Sequence, residues 1–125
     1  MVIDAALIEK CADPSLTPAI VEQFVATAGS DDPLAIAITI GGRLVLVPKP
    51  ADAATAVEMI RGYVGRASLR VGITQFPAGV GISDPSQLDA RMFDACTNLQ
   101  MGTALFAKVA RIVTQWYGPP TNTEL

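Results

Sequence analysis

Near the start of the chain, apolar residues recur at helical spacing and predict two helices. The first follows Asp4, a suitable N-cap, and stops before Pro14, because proline disfavours helical backbone in the residue before it. The second has Thr17 as its N-cap and Pro18 at its first position, where the missing N–H would be unpaired in any case. Gly29 is a natural C-cap for this second helix. Each helix carries an apolar face, so we expect both to pack against the core.

The pattern then changes to that of extended chain. Residues 35–40 and 43–47 are rich in β-branched and aliphatic side chains, and they flank a Gly-Gly pair at 41–42. Two such runs around a glycine pair are typical of a two-residue hairpin turn, so we predict a β-hairpin. A further extended segment is predicted over residues 69–76, and a loop over residues 77–81.

Helical spacing returns in the second half of the chain. A third helix is predicted from Asp52 as N-cap to Gly65, a short helical turn within residues 83–90, and a last, longest helix from about Asp94 to Tyr117. The last helix is expected to form the centre of the core through its apolar positions Leu99, Phe106, Val109, Val113 and Trp116. Trp116 and Tyr117 also fit a platform that stacks on a sugar, although such a stripe is more often core.

The length of 125 residues suits one domain with a core and is too short for two. We predict one domain over residues 1–118, followed by a flexible polar tail over residues 119–125.

Composition narrows the classes of partner. Half of the residues are apolar and 17% are charged, against a usual charged share of about 25%. We therefore expect some apolar surface to be covered by a partner or by a second copy of the chain. The net charge of −3, without a basic cluster, disfavours nucleic acid as a partner. No apolar run approaches the roughly 20 residues of a membrane span, and the first residues do not resemble a secretory signal.

The chain contains no histidine and two cysteines, which excludes Ser-His-Asp and Cys-His catalysis and histidine-ligated metal sites. We expect neither a metal ion nor a cofactor. Cys11 and Cys96 could form a disulfide that closes a loop of about 85 residues, worth roughly 4 kcal/mol. Two buried free thiols in a cytoplasmic protein are the alternative, and the residues alone leave both open.

Five short motifs follow one another over most of the chain. They are Cys11-Ala12-Asp13-Pro14, Pro33-Leu34-Ala35-Ile36, Gly41-Gly42-Arg43-Leu44, the segment around Gln75, and Cys96 with Asn98 and Leu99. In this order they resemble the lytic transglycosylases that accompany type IV secretion and conjugation systems. The segments 31–48 and 74–81 resemble more closely the small TraH-type conjugal transfer proteins of rhizobial plasmids.

The resemblance implies an α+β, mainly α fold of the lysozyme-like (transglycosylase) type with a small β-hairpin. It also implies pairing of Cys11 with Cys96, a location in the periplasm or cell envelope, and proteins of the conjugation or type IV secretion machinery, together with peptidoglycan, as partners. A cytoplasmic location is the alternative, because no signal peptide is seen.

Lytic transglycosylases use one glutamate as acid and then base, and the resemblance puts that position at Ala28. A methyl group cannot transfer a proton, and general acid–base catalysis typically contributes about 10²- to 10⁴-fold. Asp31, Asp32 and Glu22 are weak substitutes, since the first two fit turn residues and the third a solvated helix position. We therefore expect no catalytic residue to remain.

Gln75 matches the glutamine that lines the cleft of the resembled enzymes, and Ser30 and Phe76 are expected beside it. An amide at this position can bind a sugar or a peptide, or it can pair with a buried backbone group. The first functional interpretation is a conjugal transfer accessory protein with a catalytically degenerate fold. A weakly active transglycosylase using Asp31, Asp32 or Glu22 is the alternative, and a cytoplasmic binding module is a third interpretation.

Overall fold

A computed structural model describes residues 4–79 and 84–118. The helices are α1 (Ala5–Cys11), α2 (Pro18–Ala28), α3 (Ala53–Arg61) and α4 (Ala95–Tyr117); the strands are β1 (Ile36–Ile40), β2 (Arg43–Val45), β3 (Ser68–Val71) and β4 (Phe76–Pro77); and two 3₁₀ turns cover Pro85–Gln87 and Ala90–Phe93. The predicted α+β class is confirmed. The predicted tail over residues 119–125, and parts of the loop predicted over 77–81 and of the helical turn predicted over 83–90, lie outside the described residues.

The helices begin where their N-caps were predicted. The side chains of Asp4, Thr17, Asp52 and Asp94 each accept a hydrogen bond from a backbone N–H in the first turn of their helix. Such a bond satisfies one of the N–H groups that have no partner within the helix. The Gly29 N–H donates to Val25 O at 3.0 Å and closes α2 as predicted.

The sheet contains the predicted hairpin as its first two strands. Its order is β2-β1-β3-β4, and each neighbouring pair is antiparallel. The hairpin turn at 41–42 needs positive φ at both positions, and the two glycines there have φ of 56° and 79°. The extended segment predicted over residues 69–76 is correct at its ends, which lie in β3 and β4, and wrong at its centre. Residues 72–75 form a turn, closed by the Gln75 N–H, which donates to Gly72 O at 3.1 Å.

The third helix is shorter than predicted. It ends at Arg61 and not at Gly65, because Gly62 is a poor helix former and the backbone changes there to shorter-range bonds. The Tyr63 N–H donates to Ile60 O at 3.0 Å. This bond spans three residues instead of four and tightens the chain into successive turns.

The core has two parts. One part lies between the sheet, α3 and the second 3₁₀ turn, and it includes Ile38, Ile60 and Leu69. The other lies between α1, α2 and the first half of α4, and it includes Val21 and Leu99 among its fully buried side chains. The turn at residues 72–75 lies between these parts, because Val71 belongs to the first and Ile73 to the second.

The predicted burial along α4 is correct for its first half and wrong for its second. Leu99 is buried and Phe106 is half-buried, whereas Val109, Val113 and Trp116 are exposed. At 1.5 Å per residue, α4 is about 35 Å long, while α1 and α2 are about 10 and 17 Å long, so they cannot cover all of it. The interpretation of Trp116 and Tyr117 as core residues is therefore wrong, and their use as a sugar platform stays a prediction. None of the described helices is long and apolar enough to span a bilayer.

Candidate functional site

The end of α2 meets the turn at residues 72–75. The Ser30 N–H donates to Ile73 O at 2.8 Å. The approach is so close that a Cβ at Gly29 would overlap with the Ile73 carbonyl oxygen, so the position accepts only glycine without a shift of the backbone. The structure thus brings the segment that ends at Ala28 next to the turn that carries Gln75, two regions that the sequence analysis assigned to one cleft.

Asn98 holds this turn from the side of α4. Its Oδ1 accepts hydrogen bonds from the Thr74 N–H and the Thr74 hydroxyl, both at 2.8 Å. Its Nδ2 donates to Val71 O at 3.0 Å and to Met92 O at 2.9 Å. Asn98 is fully buried, and its amide therefore satisfies backbone groups that would otherwise be buried without partners. The turn is positioned by a polar network and not by apolar packing alone.

Two further residues of α4, Gly102 and Thr103, help to position the turn at residues 72–75 and the segment between α1 and α2. A Cβ at Gly102 would overlap with the Thr74 side chain, so glycine is what lets α4 lie against the turn. The buried Thr103 hydroxyl accepts the Asp13 N–H at 2.8 Å and donates to Leu99 O at 2.6 Å. α4 is thereby linked both to the turn and to the segment between α1 and α2.

Gln75 occupies a backbone conformation that is uncommon for a residue with a side chain, with φ of 52°. Its Nε2 donates to Gly72 O at 3.0 Å, so the amide nitrogen pairs with the backbone of its own turn. This is one of the two uses considered from the sequence. A role of Gln75 in binding a ligand stays a prediction.

Ser30 and Phe76 lie on either side of this junction. The Ser30 hydroxyl accepts the Asp32 N–H at 3.1 Å, which fits a turn residue. Phe76 is half-buried and, together with Gln75, lines a cavity of about 180 Å³. The other walls are mostly apolar and come from Phe24, Thr74, Pro77, Gly102, Leu105, Phe106 and Val109. The surface beside Gln75 is therefore chiefly hydrocarbon.

The carboxylates near the end of α2 either pair with groups of the turn that follows or face solvent. Asp32 accepts the Leu34 N–H at 2.9 Å and lies 3.1 Å from Lys49 Nζ. The Leu34 N–H above all, and then Lys49, hold the pKa of Asp32 below its ordinary value. Asp31 and Glu22 are exposed to solvent, and Ala28 is exposed on the last turn of α2. A general acid working near neutral pH needs a raised pKa, the opposite of what Asp32 has.

The structure contains the disulfide between Cys11 and Cys96, with a Cα–Cα distance of 5.1 Å. It joins the last residue of α1 to the first turn of α4. Of the two states that the residues left open, this one ties the N-terminal helix to the element that carries Asn98. Within residues 4–79 and 84–118, no group of three cysteine, aspartate or glutamate side chains could hold a metal ion.

Comparison with known proteins identifies the family. A model of the TraH_2 family matches residues 1–125, the whole chain. The chain belongs to the TraH_2 family. It is also similar to the uncharacterized protein y4dP of Sinorhizobium fredii (strain NBRC 101917 / NGR234), with 57% identity over 123 residues. The match covers 98% of this chain and 62% of that relative, so the chain spans about three fifths of the relative's length. No solved structure matches.

Membership of the TraH_2 family confirms the narrower of the two resemblances, the one to TraH-type conjugal transfer proteins. The likeness of this family member to lytic transglycosylases, and with it the lysozyme-like fold, stays a prediction.

Sequence reasoning missed the structural role of Asn98, although it noted the residue within a motif. The local sequence gives no clear signal, because Thr97 and Gln100 beside it are also polar. Only the burial of Asn98 shows that its amide must find several partners. Sequence reasoning also missed the exposed apolar face on the second half of α4, because the helical spacing of a core face and of a docking face is the same.

Proposed function

We propose that this TraH_2 family member is an accessory protein of conjugal transfer through a type IV secretion system. Its fold is a catalytically degenerate form of the lytic transglycosylase domain. It acts in the cell envelope by associating with peptidoglycan or with proteins of the secretion machinery, and it does not cleave glycan. Family membership supports the conjugal role, and the order of the five sequence motifs supports the degenerate fold.

One observation carries the loss of catalysis. Where the resemblance requires a glutamate, at the junction between α2 and the turn of Gln75, the chain has the methyl group of Ala28. The neighbouring Asp32 has a lowered pKa and is therefore deprotonated at neutral pH. A deprotonated carboxylate cannot protonate the oxygen of a leaving sugar.

The cavity beside Gln75 favours protein over glycan as the bound group. Its walls include Phe24, Phe76 and Phe106, and they offer few polar atoms to the hydroxyl groups of a sugar. Apolar side chains of another protein would gain from burial there. Protein interaction is therefore the better supported of the two modes of action.

The disulfide supports the location in the envelope. Disulfides form and persist in oxidising compartments, such as the bacterial periplasm, and are rare in the cytosol. The bond between Cys11 and Cys96 joins two buried or half-buried residues of one core cluster, as a structural disulfide does.

A mating assay tests the conjugal role. A donor strain that lacks the protein should transfer its plasmid less often, and the unaltered chain should restore transfer. A variant with Glu22→Gln, Asp31→Asn and Asp32→Asn should restore transfer equally, because none of these groups is needed as an acid. Unchanged transfer without the protein would contradict the conjugal role. Failure of a triple variant that unfolds at the same urea concentration as the unaltered chain would contradict the loss of catalysis.

Zymography on peptidoglycan tests catalysis directly. The unaltered chain should produce no clearing, and Ala28→Glu is the matched variant, since the exposed position at the end of α2 has room for the longer side chain. Clearing by the unaltered chain that disappears on replacing Asp31, Asp32 or Glu22 would establish the weakly active enzyme instead. Clearing by Ala28→Glu alone would strengthen the assignment of the lost acid.

A further inference from the structure

The second half of α4 presents an apolar face to solvent. Five side chains form it, and we call them the α4 stripe: Leu105 (37% exposed), Val109 (50%), Ile112 (45%), Val113 (48%) and Trp116 (79%). Successive spacings of four, three, one and three residues place them on one side of the helix. A contiguous apolar face of this kind marks an interaction site more often than scattered surface residues do.

The stripe leads into the cavity beside Gln75. Leu105 and Val109 belong to the stripe and also line the cavity, whose further walls include Phe24 and Phe76. The volume of about 180 Å³ exceeds that of an apolar cavity of about 150 Å³ known to bind benzene. The surface therefore combines an elongated apolar face with a pocket for one large apolar side chain at its end.

Charge beside the stripe indicates the chemistry of its partner. Lys108 and Arg111 are the charged residues of α4, which contains no carboxylate. At 100° per residue, Lys108 lies about 60° around the helix from Leu105, so it borders the stripe. Arg111 lies about 120° from Leu105 on the same side, farther from the stripe than Lys108. Neither cation forms an ion pair with any residue that the structure describes. The pKa of Asp13 is lowered mainly by hydrogen bonds from Ser15 and only slightly by Arg111. Lys108 is therefore available to a carboxylate from outside the chain.

The apolar face, the cavity at its end and the neighbouring Lys108 favour one kind of partner for the α4 stripe. We propose that the α4 stripe is the docking site for an amphipathic helix of a partner protein, with apolar residues at helical spacing and aspartate or glutamate on the flank that faces Lys108. The apolar face of such a helix lies along the stripe, and one large side chain enters the cavity. This docking site is independent of whether the chain cleaves glycan.

Two other occupants are less well matched. In a second copy packed through the same helix, Lys108 and Arg111 would meet identical cations and no carboxylate. An anionic membrane would attract two cations but would repel a chain with a net charge of −3.

Selection from a peptide library tests the proposal on the full chain. The library displays helices on phage, with fixed apolar positions at helical spacing and randomised flanking positions. The unaltered chain should enrich aspartate and glutamate at one flank. The variant Lys108→Glu should enrich lysine and arginine there instead. Absence of enrichment, or the same flank residues on both chains, would overturn the proposal.

The best selected peptide then serves as the probe for affinity, measured by fluorescence anisotropy. Trp116→Ala should weaken its binding at least about tenfold, as truncation of an interface tryptophan commonly does. Arg43→Glu is the matched control, because Arg43 lies in β2, at the opposite edge of the sheet from Phe76. Its binding should equal that of the unaltered chain, and equal losses in both variants would contradict the assigned surface.

Two measurements test whether a second copy of the chain or a membrane covers the α4 stripe instead. Light scattering coupled to size exclusion should give a monomer, and a dimer that Val109→Asp dissociates would show that a second copy covers the stripe. Sedimentation with vesicles of phosphatidylcholine and phosphatidylglycerol should leave the chain in solution. Vesicle binding that Val109→Asp abolishes would overturn the proposal in favour of a membrane surface.

Discussion

The two halves of α4 differ in how they are held, although one continuous helix forms both. Residues 95–107 carry the disulfide at Cys96 and the network at Asn98, and they contact α1 and the turn at 72–75. In residues 108–117 the apolar side chains Val109, Ile112, Val113 and Trp116 are exposed. Amphipathic spacing therefore identifies an apolar face of a helix but not what covers that face.

Among changes in residues 95–107 of α4, removal of the disulfide should lower the stability of the chain most. Replacing both Cys11 and Cys96 with serine should lower the free energy of unfolding by about 4 kcal/mol, because the bond closes a long loop in the unfolded chain. Urea denaturation measures this loss. Reductant should destabilise the unaltered chain similarly and leave the double variant unchanged. A loss below about 1 kcal/mol would mean that packing against α2 and α4 keeps α1 in place without the disulfide.

Truncation of Asn98 should cause the second largest loss of stability. Asn98→Ala leaves Val71 O, Met92 O and the Thr74 N–H without their side-chain partner, and we expect a loss of about 3 kcal/mol. Thermal and urea denaturation provide the measurement. Gln100→Ala, at an exposed position of the same helix half, is the control and should stay within about 0.5 kcal/mol. Equal effects at both positions would contradict the role of the network.

A methyl group at Gly102 should be destabilising, against the usual trend. In an exposed helix interior, replacing glycine with alanine stabilises by about 1 kcal/mol. At Gly102 the new Cβ would overlap with Thr74, so Gly102→Ala should instead cost about 1–3 kcal/mol. The sign of the change in unfolding free energy decides the matter, and a stabilised variant would show that α4 does not press against the turn.

Substitutions of exposed residues in the second half of α4, residues 108–117, should change the free energy of unfolding least. Trp116→Ala and Val109→Ser, made singly, should change the free energy of unfolding by no more than about 0.5 kcal/mol, because both side chains are exposed. Chemical denaturation, followed by circular dichroism, checks this. A loss beyond about 1.5 kcal/mol from either change would mean that another part of the same chain covers the stripe.

Features set by short stretches of sequence could be predicted, and the structure confirms them. Asp4, Thr17 and Asp52 act as N-caps because the acceptor and its backbone donor are only three residues apart. The hairpin turn at 41–42 follows from two glycines that tolerate positive φ. In each case the deciding contact lies within a few residues along the chain.

Features set by distant neighbours could not be predicted. The buried role of Asn98 depends on β3 and on the 72–75 turn, which are more than twenty residues away. The exposure of Trp116 depends on which other elements reach the second half of α4, and helical spacing does not encode this. The close approach of Gly29 to Ile73 was not predicted. Only a family resemblance assigned Ala28 and Gln75 to one cleft, since nothing in the local pattern relates their two segments.

The disulfide between Cys11 and Cys96 also determines how the chain responds to proteases. A cut at any peptide bond between these two positions leaves both fragments in one covalent molecule. On a gel without reductant, such a nicked chain would migrate as a single band near the intact mass, so digestion in the hairpin or in the loops beyond it becomes visible only after the sulfur bridge is opened.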